Sequence, residues 1–185
     1  KDTTMFMFLF IGFLLRLLMM IYDNNVALLP FNTTDAGRFH QLAVETSEAL
    51  PEQMLEFFTG FYSQVLGVIY YIFGPYKFFG HYLNVVFVML AATKLIDIAD
   101  LLEFKLKNEK LLIALWLFMP IPMLMSYALL REASMYYFIV QSIYFFLKWF
   151  EKYNYIYAVL AILMGLIGGK YHSGVMVVVV PYIYY

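Results

Sequence analysis

The stretch Met5–Tyr22, MFMFLFIGFLLRLLMMIY, decides the class of fold. Its one charge is Arg16, and as a helix the run is about long enough to cross the ~30 Å hydrocarbon core of a bilayer. It has no small-residue cleavage site, so it reads as a signal anchor and not as a removable leader. Composition points the same way. Of 185 residues, 64% are hydrophobic and 14% charged, against about half and about a quarter in a soluble domain. The mean hydropathy is +0.76. These values predict an integral membrane protein. A formal net charge of -1 argues against a nucleic-acid partner, which needs clustered positive charge. Zero cysteines exclude disulfides, a thiolate metal site and a cysteine nucleophile.

Further apolar runs lie at 61–76, 81–98, 111–127, 134–150, 155–169 and 174–185. The core of the first of these, VLGVIYYIF, is only about nine residues before Gly74-Pro75, nearer a re-entrant or interfacial segment than a span. Loop charge supports that reading, because short cytoplasmic loops carry the excess of Lys and Arg. With a cytoplasmic N-terminus and a non-crossing 61–76, Lys105, Lys107, Lys110, Lys148 and Lys152 fall inside. Arg38, Lys77, Arg131 and Lys170 then fall outside. A crossing 61–76 would turn the lysine-rich loops outward. The expected fold is therefore all-α: a polytopic transmembrane helix bundle of about six spans, forming one domain over 1–185. Because the chain ends on VVVVPYIYY within an apolar run, it is expected to be the N-terminal part of a longer protein.

The long outer loop, 23–60, is expected to hold interfacial helices. After Asp35, the residues Phe39, Leu42, Ala43, Thr46 and Leu50 fall at helical spacing, with Arg38, Gln41, Glu45 and Glu48 on the other side. That pattern suits a helix lying on a bilayer surface. Pro51 ends it, and 52–58 reads as a second short interfacial helix. The triplet Asn32-Thr33-Thr34 fits the N-glycosylation pattern, which has meaning only where that machinery exists. No phosphate-binding glycine loop, HExxH or nucleophile elbow occurs, and no repeat of fixed period.

Most polar residues that could carry chemistry gather on the outer side. Asp35 is either a helix cap or a carboxylate tuned at the membrane surface to accept a proton, and the two roles are compatible. Arg131-Glu132 stands in apolar sequence, where charges are expensive and face a polar cavity or each other; snorkelling to the interface is the structural alternative. Lys170-Tyr171-His172 follows Gly168-Gly169, and His172 is a base, phosphate donor or solvated end group. Lys77 and His40 carry weaker signals of the same kind. Arg16 either snorkels or meets a lipid phosphate.

The order of these features resembles the GT-C class of polyprenyl-phosphate-sugar glycosyltransferases, which includes protein O-mannosyltransferases, the lipid A aminoarabinose transferase and bacterial surface-polysaccharide transferases. Asp35-Ala36-Gly37-Arg38-Phe39-His40-Gln41-Leu42-Ala43 is similar to the family's D-A-x-x-Y-H-x-x-A opening. Tyr71-Ile72-Phe73-Gly74 resembles its FG-ended segment, and His81-Tyr82-Leu83-Asn84 its R-x-x-N start of a span. Leu129-Leu130-Arg131-Glu132-Ala133 and Lys170-Tyr171-His172-Ser173-Gly174 resemble its Arg-acid pair and an outer R-P-H-x-G pattern. The chain departs in having Ala36 where several members carry a second acid, and His81 where many carry arginine.

The resemblance implies transfer of a sugar from a polyprenyl-phosphate donor to a hydroxyl of a lipid, glycan or protein on the extracytoplasmic face of a membrane, a bacterial plasma membrane before the endoplasmic reticulum. It implies Asp35 as general base; Arg131, Lys170, His172 and Lys77 at the donor phosphate; and Arg38, His40 and Glu132 as acceptor or supporting residues. Some relatives use a divalent metal, but no cofactor and no metal ligand is assigned here. Other readings are a flippase or transporter, with Arg16, Arg131 and Lys170 along a path, and a non-catalytic membrane subunit in which Asp35 only caps.

Overall fold

The computed structural model describes residues 3–30, 34–50 and 60–183. The expected helix over 52–58 and most of the Asn32-Thr33-Thr34 triplet lie outside the described residues. Those described are helical or in short connections, with no strand among them. In chain order they form α1 (Thr3–Asn25), α2 (Thr34–Ala49), α3 (Phe61–Phe73), α4 (Lys77–Leu101), α5 (Leu106–Phe118), α6 (Pro120–Tyr127), α7 (Glu132–Lys152) and α8 (Tyr155–Tyr171). A 3₁₀ turn (Ser173–Val178) and α9 (Val180–Ile183) follow.

Among the described residues two helices, α1 and α4, are long and apolar enough to cross a membrane, and α5 with α6 makes a third if that pair, bent by 47°, is one span. The bend has a local cause. Pro120 disfavours the helical conformation at the preceding residue, and Met119 is accordingly extended, at φ -66 and ψ 145. Pro120 then starts α6, where its missing N–H costs nothing. The apolar run expected at 174–185 is not one regular helix in its described part. Its β-branched valines and Pro181 favour short helical pieces, and the chain forms the 3₁₀ turn followed by α9.

One stripe of α1 faces the other helices. Met5, Gly12, Arg16, Met20 and Asp23 are buried, while Phe6, Phe10, Leu14 and Leu18 are exposed. Gly12 allows close approach: a Cβ there would meet the Leu117 side chain of α5 at 3.1 Å. Below it, Met5, Ala92, Ile96, Ile113 and Leu117 make one apolar cluster.

At its C-terminal end α1 meets the start of α4, where Asn24 Nδ2 lies 2.7 Å from His81 Nδ1. This is also the end of the bundle that carries α2 and α3. Both ends of α3 touch it: Phe61 packs edge-on against Tyr171 of α8, and Phe73 packs against Phe79 of α4. A helix of 13 residues, about 20 Å long, therefore lies across the bundle end and does not run along it. Ala36, Ala43, Tyr62, Leu66, Tyr70, Leu129 and Tyr171 form the core beneath.

The α2–α3 pair closes at Gly67, where a Cβ would stand 2.6 Å from Thr46 Cβ and 3.2 Å from the Ala43 carbonyl oxygen. Gly67→Ala should force the two helices apart and cost about 1–3 kcal/mol, read as a fall in Tm in a fixed detergent. Gly37→Ala in α2 meets nothing within 4 Å and should leave Tm unchanged or raise it, since alanine is the better helix former by up to about 1 kcal/mol.

Candidate functional site

The site is built from helix ends. Between α6 and α7 the backbone leaves the helical path, with Ala128 extended at ψ 145. Carbonyls freed there in an apolar interior need donors. Asn84, fully buried in α4, supplies both: its Nδ2 donates to Ala128 O at 2.7 Å and to Leu130 O at 2.8 Å. Its Oδ1 accepts from the Tyr62 hydroxyl of α3 at 3.2 Å. One amide thus fixes the residue that follows Leu130, which is Arg131.

The Arg131 guanidinium lies 5.8 Å from the centre of the Phe39 ring on α2, a cation–π distance. Its Nε is buried and has no hydrogen-bond partner. The next residue, Glu132, starts α7 and has a buried Oε2 that is likewise without a partner. Glu132 and His172 line one open cleft of ≈ 330 Å³, with Met135, Ile139, Val175 and Val178 as its apolar walls. His172 is oriented by its own backbone: Nδ1 accepts from Gly174 N–H at 3.1 Å. Neutral His172 therefore carries its proton on Nε2, leaving a donor on an exposed ring.

Asp35 lies in the first turn of α2 as described, Thr34–Ala49. A carboxylate there is favoured by the unpaired N–H groups of the turn. The side chain is exposed. It precedes Phe39 by four residues and so shares that ring's side of α2, about 6 Å along the axis.

Arg38 is also exposed and lines a separate cleft between α2 and α3. His40 is committed to structure, with Nδ1 3.0 Å from the Tyr70 hydroxyl and the two rings edge to face. Lys77 opens α4, exposed. Lys170 is exposed in the last turn of α8, where a cation suits the helix dipole. Among the described residues no three His, Asp or Glu side chains come together to hold a metal ion.

Sequence reasoning missed Asp23 and Asn24. Asp23 is buried and its Oδ1 accepts from Leu29 N–H at 2.6 Å, while Asn24 reaches His81. The spacing Gly12, Arg16, Met20, Asp23 continues the buried stripe past the end of the apolar run, and that signal was present in the sequence. No family model, curated protein or solved structure matches the chain.

Replacing Asn84 by Ala removes the side-chain donor to Leu130 O and leaves Ala128 O only the Leu130 N–H, 2.8 Å away; it should cost about 1–3 kcal/mol, measured by thermal unfolding in detergent. Tyr62→Phe removes only the longer bond and should cost less. For His40, partial burial and then the charge of Lys77 hold the imidazole below its ordinary value of 6.5. The unfolded chain then binds more protons in acid, so the contribution of neutral His40 is complete above 6.5 and is lost as pH falls toward the depressed native value. Histidine NMR in micelles should find the His40 midpoint below 6.5; a midpoint at or above it removes the effect.

Proposed function

We propose that the chain is an integral, multi-pass membrane glycosyltransferase that moves a sugar from a polyprenyl-phosphate donor to a hydroxyl acceptor on the extracytoplasmic face. The six spans of this reading are α1, α4, the bent α5–α6 pair, α7, α8 and the run from 174. The observation that carries it is the cleft between α7 and the 3₁₀ turn: polar at Glu132 and His172 and apolar along Met135, Ile139 and Val178, with Arg131 the residue before Glu132 in the chain. A donor with a charged phosphate and a hydrocarbon tail has the same two-part character.

The chemistry follows from the residues. Asp35 takes the proton of the acceptor hydroxyl as its oxygen attacks the anomeric carbon. The bond from that carbon to the phosphate oxygen breaks on the opposite side, inverting the centre. Arg131, with Lys170, His172 and Lys77, stabilises the phosphate that leaves, arginine by a two-pronged contact. The Phe39 ring and the Asn84 clamp hold Arg131 in place beforehand. Glu132 serves as a supporting carboxylate, and His40 supports through Tyr70.

The test is transfer of radiolabelled sugar from a polyprenyl-phosphate donor by membranes carrying the protein. Asp35→Asn should lower the rate by about 10²–10⁴-fold, and Arg131→Gln by about tenfold or more, with both variants inserted at wild-type levels. Transfer by Asp35→Asn at the wild-type rate would sink the proposed base.

One observation favours a transporter reading. Arg16 is fully buried within α1, with Nη1 donating to Gly12 O at 2.9 Å and with Nε and Nη2 unpartnered. If translocation of a lipid-linked oligosaccharide into vesicles requires Arg16 and is indifferent to Asp35→Asn, that reading replaces the first.

A further inference from the structure

The cleft between α2 and α3 is separate from the one at α7, and its lining is specific. Arg38, Leu42 and Thr46 come from one side of α2, and Gly60, Ser63 and Gln64 from the start of α3; together they enclose ≈ 320 Å³. Thr46 turns its hydroxyl back to Leu42 O at 2.7 Å, so its methyl and Leu42 make an apolar wall. The polar groups remain on the other side.

Three donors border it. Arg38 stands exposed with no ion-pair partner among the described residues. Ser63 is only 2% exposed, yet its Oγ is buried without a hydrogen-bond partner while the residue lines the cleft. A buried hydroxyl left unpaired is costly unless something arrives to meet it. The third donor is the N-terminus of α3, a helix of 13 residues whose cap, Gly60 at φ 69, offers no side chain to its first N–H groups. Such an end presents partial positive charge and free donors.

We infer that this cleft binds a phosphoryl group. A guanidinium on α2 stands across the cleft from a hydroxyl and a helix N-terminus on α3, and a tetrahedral phosphate has an oxygen for each of the three, whereas a planar carboxylate has two. The volume also leaves room for part of the molecule that carries the phosphate. Naming that carrier as the acceptor rests on the proposed glycosyl transfer; the phosphate site itself does not.

The experiment uses the full chain in phosphatidylcholine nanodiscs with inorganic phosphate as probe, followed by ³¹P NMR titration. Arg131→Gln serves as the background, so that the proposed donor site is silent. Saturable binding is expected, weakened roughly tenfold by adding Arg38→Gln and roughly threefold by adding Ser63→Ala. Arg38 is exposed and Ser63→Ala removes one atom, so both variants should keep the background Tm, which is checked in the same samples.

Absence of saturable binding, or binding that neither substitution changes, overturns the inference. Discs containing phosphatidic acid distinguish the source. Competition lost in Arg38→Gln assigns the phosphate to a lipid headgroup, and no competition assigns it to a soluble or glycan-borne group; both keep the site. If Asp35→Asn abolishes transfer while Arg38→Gln leaves phosphate binding intact, this inference fails alone. If Arg38 governs phosphate binding but no transfer is found, the site stands and the transferase reading fails.

Discussion

The amide of Asn84 is the interaction on which the rest of this end of the molecule depends. An apolar helix bundle tolerates a break in a helix only where the freed backbone groups find partners, and water is not available to supply them. Asparagine offers two N–H donors and a carbonyl from one rigid plane. Here the donors satisfy Ala128 and Leu130 and the carbonyl receives Tyr62. Three segments that are distant in sequence are therefore fixed by one side chain. His81, one turn earlier on α4, makes the corresponding tie to α1 through Asn24. The connection from Leu130 into α7 has little freedom once these bonds form, and Arg131 inherits its position from them.

The crosswise helix α3 is the second consequence. Because Tyr62 reaches Asn84 and Tyr70 reaches His40, α3 is held by polar contacts near both ends as well as by the apolar core below it. Helix α2 then packs on α3 at Ala43 and Gly67, where small residues let the backbones come close. This lends α2 an orientation that its own sequence does not supply. Ala36 and Ala43 are its buried residues, with Phe39 and Val44 packed beside them on the core, while Asp35 and Arg38 stay exposed on the outer side.

What the sequence made legible follows from the range of the interactions concerned. The long first helix, the helical spacing after Asp35 and the shortness of the 61–73 segment depend on neighbours three or four residues away, and each appeared where periodicity and length put it. The bend at Met119 was within reach of the same reasoning, since Pro120 is adjacent. The roles of Asn84, Phe39 and Tyr62 were not, because each is defined by a partner tens of residues distant. Asn84 stood out in the sequence only through a family resemblance, which gave it no task. Asp23 was overlooked because it follows the apolar run and looked like loop, although it sits two turns beyond Arg16 on the same buried face. His40 went the other way: a residue that resembled chemistry is engaged with Tyr70.

The first turns of α2 also set the relation between the two clefts. With about 100° of rotation per residue, Arg38 falls about 60° to one side of Asp35 and Phe39 about 40° to the other. Phe39 turns toward Arg131, while Arg38 borders the α3 cleft. The carboxylate at position 35 lies between these two directions on the helix, and it is the acidic group of that turn. On the proposed reading, a donor phosphate held by Arg131 and an acceptor phosphate held by Arg38 would lie to the two sides of that carboxylate. On the same reading a base has to be exposed to reach the hydroxyl it deprotonates, so the exposure of Asp35 does not by itself argue for an idle surface residue.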